Sequence, residues 1–106
     1  MTDPVLITRH IQVHGRVQGV GYRISAKTEA ERLGLGGWVR NCKDGSVEMM
    51  VTGSQTAVEH FIRWARQGPS SAQVTQLVLL EPTTGSPVSA PACPDIPPVF
   101  EIRATL

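Results

Sequence analysis

The order of apolar patterns along these 106 residues predicts an α+β fold: a mostly antiparallel sheet with two helices on one face and an extra C-terminal strand. Three observations carry this expectation. Apolar residues recur at helical spacing in two separate stretches, an Asp-Gly pair joins two alternating runs between them, and further alternating runs lie on either side. Strand, helix, strand, strand, helix, strand is the order of a split βαβ unit.

Each element has its own signal. From Val5 to His14 the chain reads as a strand, with Ile11 and Val13 on one face and His10, Gln12 and His14 on the other. GRVQGVG, residues 15–21, holds three glycines and reads as a loop. The period then changes: Tyr22, Ala26, Ala30 and Leu33 repeat at helical spacing, and Gly34 follows where a helix C-terminus favours positive φ, which predicts a helix over 22–33. GWVRNCKDGSVEMMVTG, residues 37–53, reads as a hairpin turning at Asp44-Gly45. In its second strand Val47, Met49 and Val51 share one face; in its first, Val39 and Asn41 share a face while Trp38 and Arg40 take the other. Ser54 caps a second helix whose stripe is Val58, Phe61, Ile62 and Ala65, and Gly68-Pro69 ends it. Val74 to Leu80 is a further strand. Six of the eight prolines fall in residues 82–98, which interrupts regular structure until a last strand in VFEIRAT, residues 99–105.

Composition bounds the function. With 41% hydrophobic and 18% charged residues, the chain is expected to fold as a single domain over 1–106 with its own apolar core. Ten basic and nine acidic residues leave a net charge of +1, so no broad field exists to hold nucleic acid or an anionic membrane. Any bound anion needs a local site. MTDPVLITRHIQ lacks the apolar core of a secretory signal and LVLL is too short to span a bilayer, so a cytoplasmic protein is expected, and a monomer. Cys42 and Cys93 belong to no CxxC or Cys/His cluster and are expected to be free thiols.

The segment that carries chemistry is Gly15 to Gly21, with Arg23 in the first turn of the helix that follows. Glycines let consecutive N–H groups turn inward, the helix N-terminus adds partial positive charge, and a guanidinium adds a planar fork of donors. Together they suit a phosphate-sized anion. A glycine-rich strand-to-helix connection is equally the mark of a tight turn. The loop has no GK[ST], no cysteine precedes the arginine to form a phosphoenzyme, and no carboxylates or histidines stand at metal-ligand spacing. Phosphoryl transfer here would require water to attack directly, with no cofactor and no metal.

VHGRVQGVGYR, residues 13–23, and GWVRNCKDGSVEMMVTG, residues 37–53, resemble the two signature segments of the acylphosphatases, enzymes that hydrolyse acyl phosphates. The first matches at Gly15, Val17, Gln18, Gly19, Val20 and Arg23; the second matches at Gly37, Trp38, Val39, Asn41, Gly45, Val47 and Gly53. The resemblance covers residues 5–81 and, loosely, the last strand. It implies a ferredoxin-like βαββαβ sandwich, a small-molecule acyl phosphate substrate, and a phosphate held by Arg23 and by an N–H cradle from the loop of Gly15, Arg16, Val17, Gln18, Gly19 and Val20. It also implies that Asn41 orients the attacking water. Two departures stand out. Tyr22 replaces the family's usual phenylalanine, adding a hydroxyl while keeping the aromatic plug, and the proline-rich 82–98 connection is longer than usual.

The chemistry is consistent with that substrate class on independent grounds. Donors and positive charge without a general acid require a leaving group that departs unprotonated. A carboxylate, with a pKa of about 4, can do so; an alkoxide, nearer the roughly 15.7 of water, needs an acid or a metal. Asn41 can accept from a water but cannot take its proton.

The alternative is a non-catalytic module of the same fold that senses phosphate or another anion, or binds RNA. SVEMMVT lacks the stacking aromatics of an RNA-binding sheet, and the charge is near neutral. A third reading, a domain serving a larger carbamoyl-transfer machine, would need further domains. His10, His14 and His60 are scattered and read as surface or structural; Cys42 points away from Asn41 and reads as inert; Trp38 and Trp64 read as packing residues.

Overall fold

A computed structural model describes residues 6–80 and 99–105. Its elements are β1 (Leu6–Arg16), α1 (Tyr22–Leu33), β2 (Gly36–Asn41), β3 (Val47–Ser54), α2 (Gln55–Ala65), β4 (Gln73–Leu80) and β5 (Glu101–Ile102). The strands form one sheet in the order β4-β1-β3-β2-β5, all antiparallel except the β2–β5 pair. The first four strands and two helices have the ferredoxin-like arrangement expected from the sequence. The proline-rich connection at 82–98 and Cys93 lie outside the described residues.

Alternation on β1 and β3 sends Ile11, Val13, Val47, Met49 and Val51 to the helix-facing side, where all are fully buried. Against them pack Tyr22, Ala26 and Ala30 of α1 and Val58, Phe61 and Ala65 of α2. Small alanines on α1 bring that helix close to the sheet, and Phe61 fills the space beneath α2. Ser54 caps α2 as expected, its Oγ accepting from the Ala57 N–H at 3.2 Å. Tyr22 ties the helices together: its hydroxyl donates to the Ala65 carbonyl at 2.8 Å, and its ring packs 5.3 Å from that of Trp64. Burial pushes the phenol well above its ordinary range, so it stays a donor. No helix among the described residues is long and apolar enough to cross a membrane.

Two boundaries differ from expectation. β1 does not stop at His14 but runs on through Gly15 and Arg16, which pair with Val74 and Gln73 after a register shift at His14/Gly15. Gly15 has φ +121, and a Cβ there would lie 2.2 Å from the Gln73 carbonyl oxygen; the glycine serves a bulge in which two backbones nearly touch. At the other end, the last strand contracts to Glu101–Ile102, pairing in parallel with Trp38 and Val39. Buried Phe100, 6.0 Å from the Phe61 ring, anchors the segment instead of continued alternation.

The opposite sheet face is polar. His10 Nε2 hydrogen-bonds Glu48 Oε2 at 2.5 Å, and Arg40 donates to Glu48 Oε1 at 2.9 Å while its guanidinium lies 4.8 Å from the Trp38 ring centroid. Burial works to raise the Glu48 carboxyl pKa, but the bonds from His10 and Arg40 outweigh it and hold the group below its ordinary 4.5. A lowered folded pKa contributes stability that is complete above 4.5 and lost as pH falls through the lowered value.

Two predictions follow from this packing. Tyr22→Phe leaves the Ala65 carbonyl without its donor and should lower stability by about 1–2 kcal/mol, read from the urea midpoint at unchanged m-value. Thermal scans between pH 6 and pH 3 should show the wild type losing more stability than Glu48→Gln below pH 4.5; parallel losses would remove Glu48 as a source of acid sensitivity.

Candidate active site

β1 and β2 both run antiparallel to β3, so they are parallel to each other and their C-terminal ends lie at the same end of the sheet. Val13, Val47 and Asn41 form one row across the three strands. Directly paired residues point the same way, so Asn41 faces the helix side beside buried Val13 and Val47. The loop after β1 passes over that end of the sheet and delivers the chain into α1.

A cavity of about 210 Å³ opens there. Val17, Gly19 and Gly21 of the loop, Tyr22, Arg23 and Ile24 of α1, and Asn41 of β2 line it. Arg23 is half-buried in the first turn of α1 and, among the described residues, pairs with no carboxylate. Within the same set, the backbone N–H groups of residues 18–21 have no backbone partner. With the start of the α1 dipole they make a positive concavity without a built-in counterion.

Across the cavity stands the complementary anomaly. Asn41 Oδ1 is buried and has no hydrogen-bond partner, the one such side-chain atom among the described residues. An orphaned acceptor of this kind costs about 1–3 kcal/mol, which a fold tolerates where a ligand or reactant completes the bond. The turn following Asn41 is firmly built: Cys42 N–H donates to Ser46 O at 2.9 Å, Gly45 N–H to Cys42 O at 3.1 Å, and Asp44 Oδ1 accepts from the Ser46 hydroxyl at 2.6 Å and its N–H at 2.9 Å. Those two bonds from Ser46 hold the exposed Asp44 carboxyl below its ordinary range.

Of the residues implied by the sequence, the structure gathers Val17, Gly19, Arg23 and Asn41 around the cavity. Gly15 and Arg16 instead belong to the β1–β4 ladder, and Val20 packs against the core. The Gln18 side chain turns away to the hairpin, its Nε2 donating to Cys42 O at 2.8 Å and to Ser46 O at 2.9 Å. Gly21, from the glycine-rich segment, and Tyr22, the aromatic plug, also line the cavity, as does Ile24, to which sequence reasoning gave no role. Ile24 carried a signal: it is a large apolar residue, 67% exposed, outside the buried stripe of its own helix. No histidine lines the cavity, and Cys42 projects to the other face, 3.8 Å from Glu48 Oε1. Burial pushes that thiol up, away from the thiolate form a nucleophile needs.

The acylphosphatase family model matches residues 9–87. An acylphosphatase from Azoarcus sp. strain BH72 is 51% identical over 86 residues, covering 79% of this chain and 88% of the relative. Among solved structures, the acylphosphatase from Bacillus subtilis superimposes with a TM-score of 0.75 at 30% identity, over 93% of this chain and 99% of that one. Full-length HypF, solved in its phosphate- and nucleotide-bound form, gives a TM-score of 0.78 at 26% identity; the match covers 98% of this chain but 13% of that one.

Proposed function

The chain belongs to the acylphosphatase family, and on that premise we propose how its cavity hydrolyses acyl phosphates to a carboxylate and inorganic phosphate. The observation that carries the reading is the pairing of an uncompensated guanidinium and an unpartnered buried amide oxygen on the walls of one small cavity. Arg23 and the loop N–H groups take the phosphoryl oxygens. Asn41 Oδ1 accepts a hydrogen bond from a water and holds it in line with the bond to be broken. The water oxygen forms the new P–O bond, the bond from phosphorus to the acyl oxygen breaks with its electron pair leaving on the carboxylate, and both protons of the water stay with the phosphate product.

Nothing in this scheme requires a general acid, because a carboxylate is stable as it departs. Acceleration comes from fixing both reactants and from donors already aimed at the transferring charge. Among the described residues no group of three or more His, Cys, Asp or Glu could hold a metal ion, and Arg23 supplies the compensating charge instead. The net charge of +1 supports a small-molecule substrate without a nucleic-acid partner. Two cysteines without a framework support a cytoplasmic setting, and we place the protein there as a monomeric single domain, checked by cell fractionation and light scattering.

Hydrolysis of benzoyl phosphate should persist in EDTA and fall by roughly 100-fold or more in Arg23→Ala, with weaker inhibition by inorganic phosphate. Activity that needs added metal, or survives loss of Arg23, overturns the mechanism. Asn41→Ala should also lose roughly 100-fold or more in kcat while the phosphate inhibition constant stays within about threefold. Near wild-type turnover in that variant removes Asn41 from the reaction.

A further inference from the structure

We propose that Gln18 is a positioning residue: its side chain ties the phosphate loop to the β2–β3 turn and so sets where Asn41 holds the attacking water. This rests on the roles of Arg23 and Asn41 given above. The sequence resemblance groups Gln18 with the phosphate ligands. The geometry assigns its side chain elsewhere.

A carboxamide nitrogen has two hydrogens, and Gln18 Nε2 directs one bond to Cys42 O at 2.8 Å and the other to Ser46 O at 2.9 Å. Neither remains for a phosphoryl oxygen. Both acceptors belong to the turn that begins next to Asn41, and the Cys42 N–H to Ser46 O bond closes the base of that turn. On the loop side Gln18 lies between Val17 and Gly19, which both line the cavity.

Other restraints across this gap are sparse. Among the described residues no other side-chain hydrogen bond joins residues 17–21 to the hairpin, and no backbone hydrogen bond does so. Asn41 gets no fixing bond at Oδ1, and its row neighbours Val13 and Val47 offer no side-chain donor. Gln18 is therefore the direct hydrogen-bonded link between the loop of the phosphate grip and the turn that begins next to the water-holding amide. An in-line displacement is sensitive to the distance between grip and amide, since a shift of about 1 Å costs up to roughly 100-fold in rate.

The test is a double-mutant cycle read by kcat, KM and inhibition by inorganic phosphate. Gln18→Leu, similar in size but without donors, should lower kcat by roughly 10- to 100-fold and leave the phosphate inhibition constant within about threefold. In the Asn41→Ala background the same change should lower kcat by less than about twofold, because the group it positions is gone. An equal loss in both backgrounds, or a matching loss of phosphate affinity, overturns the proposal. Wild-type turnover by Gln18→Leu beside an impaired Asn41→Ala overturns the tether alone; wild-type turnover by Asn41→Ala overturns the water-holding role itself. Gln18→Glu provides a second readout that stands if the leucine variant fails to fold. Its ionised carboxylate faces two carbonyls and regains one donor when protonated, so its kcat relative to wild type should rise as pH falls through the carboxylate range. A ratio that does not change with pH overturns the tether.

Discussion

The functional end of this molecule depends on the placement of β3 between β1 and β2. Because β3 is antiparallel to both, the segments leaving β1 and β2 emerge at the same end of the sheet, on the side the helices cover. A cation from the helix after β1 and an amide from the end of β2 are thereby brought to one cavity, although no local interaction in the sequence joins them. The row formed by Val13, Val47 and Asn41 sharpens the effect. It sets a polar group where apolar neighbours cannot satisfy it, and leaves the oxygen available to a reactant.

That arrangement opposes stability and chemistry in one place. A buried acceptor without a donor weakens the folded state, and filling it, or pairing Arg23, with a protein partner would abolish the proposed anion site. The surrounding structure compensates by being densely tied. The Tyr22 hydroxyl joins α1 to α2 beneath the cavity, the Asp44 and Ser46 bonds rigidify the turn beyond Asn41, and the close β1–β4 contact at Gly15 fixes where the loop departs.

Much of this was legible in the sequence because the signals were local. Period changes at Tyr22 and Ser54, the Asp44-Gly45 turn and the Gly34 stop located both helices and the hairpin, and Arg23 and Asn41 were implied by the two signature segments. What escaped depends on contacts between distant segments. Gly15 looked like the first residue of a loop, since nothing in the sequence announces that Gln73 will lie against it. The Gln18 side chain could not be told from its neighbours in the loop until the hairpin carbonyls were in place. Phe100 buries itself against Phe61 and the strand after it spans only Glu101–Ile102, contacts that alternation along the sequence does not announce.

The alternation of β1 and β3 also divides the sheet into two surfaces with separate business. Val13 and Val47 look toward the cavity side, whereas His10 and Glu48, on the same two strands, look the other way. The His10, Arg40 and Glu48 cluster therefore lies on the face opposite the proposed site, so acid sensitivity and the proposed chemistry draw on different side chains of one small sheet.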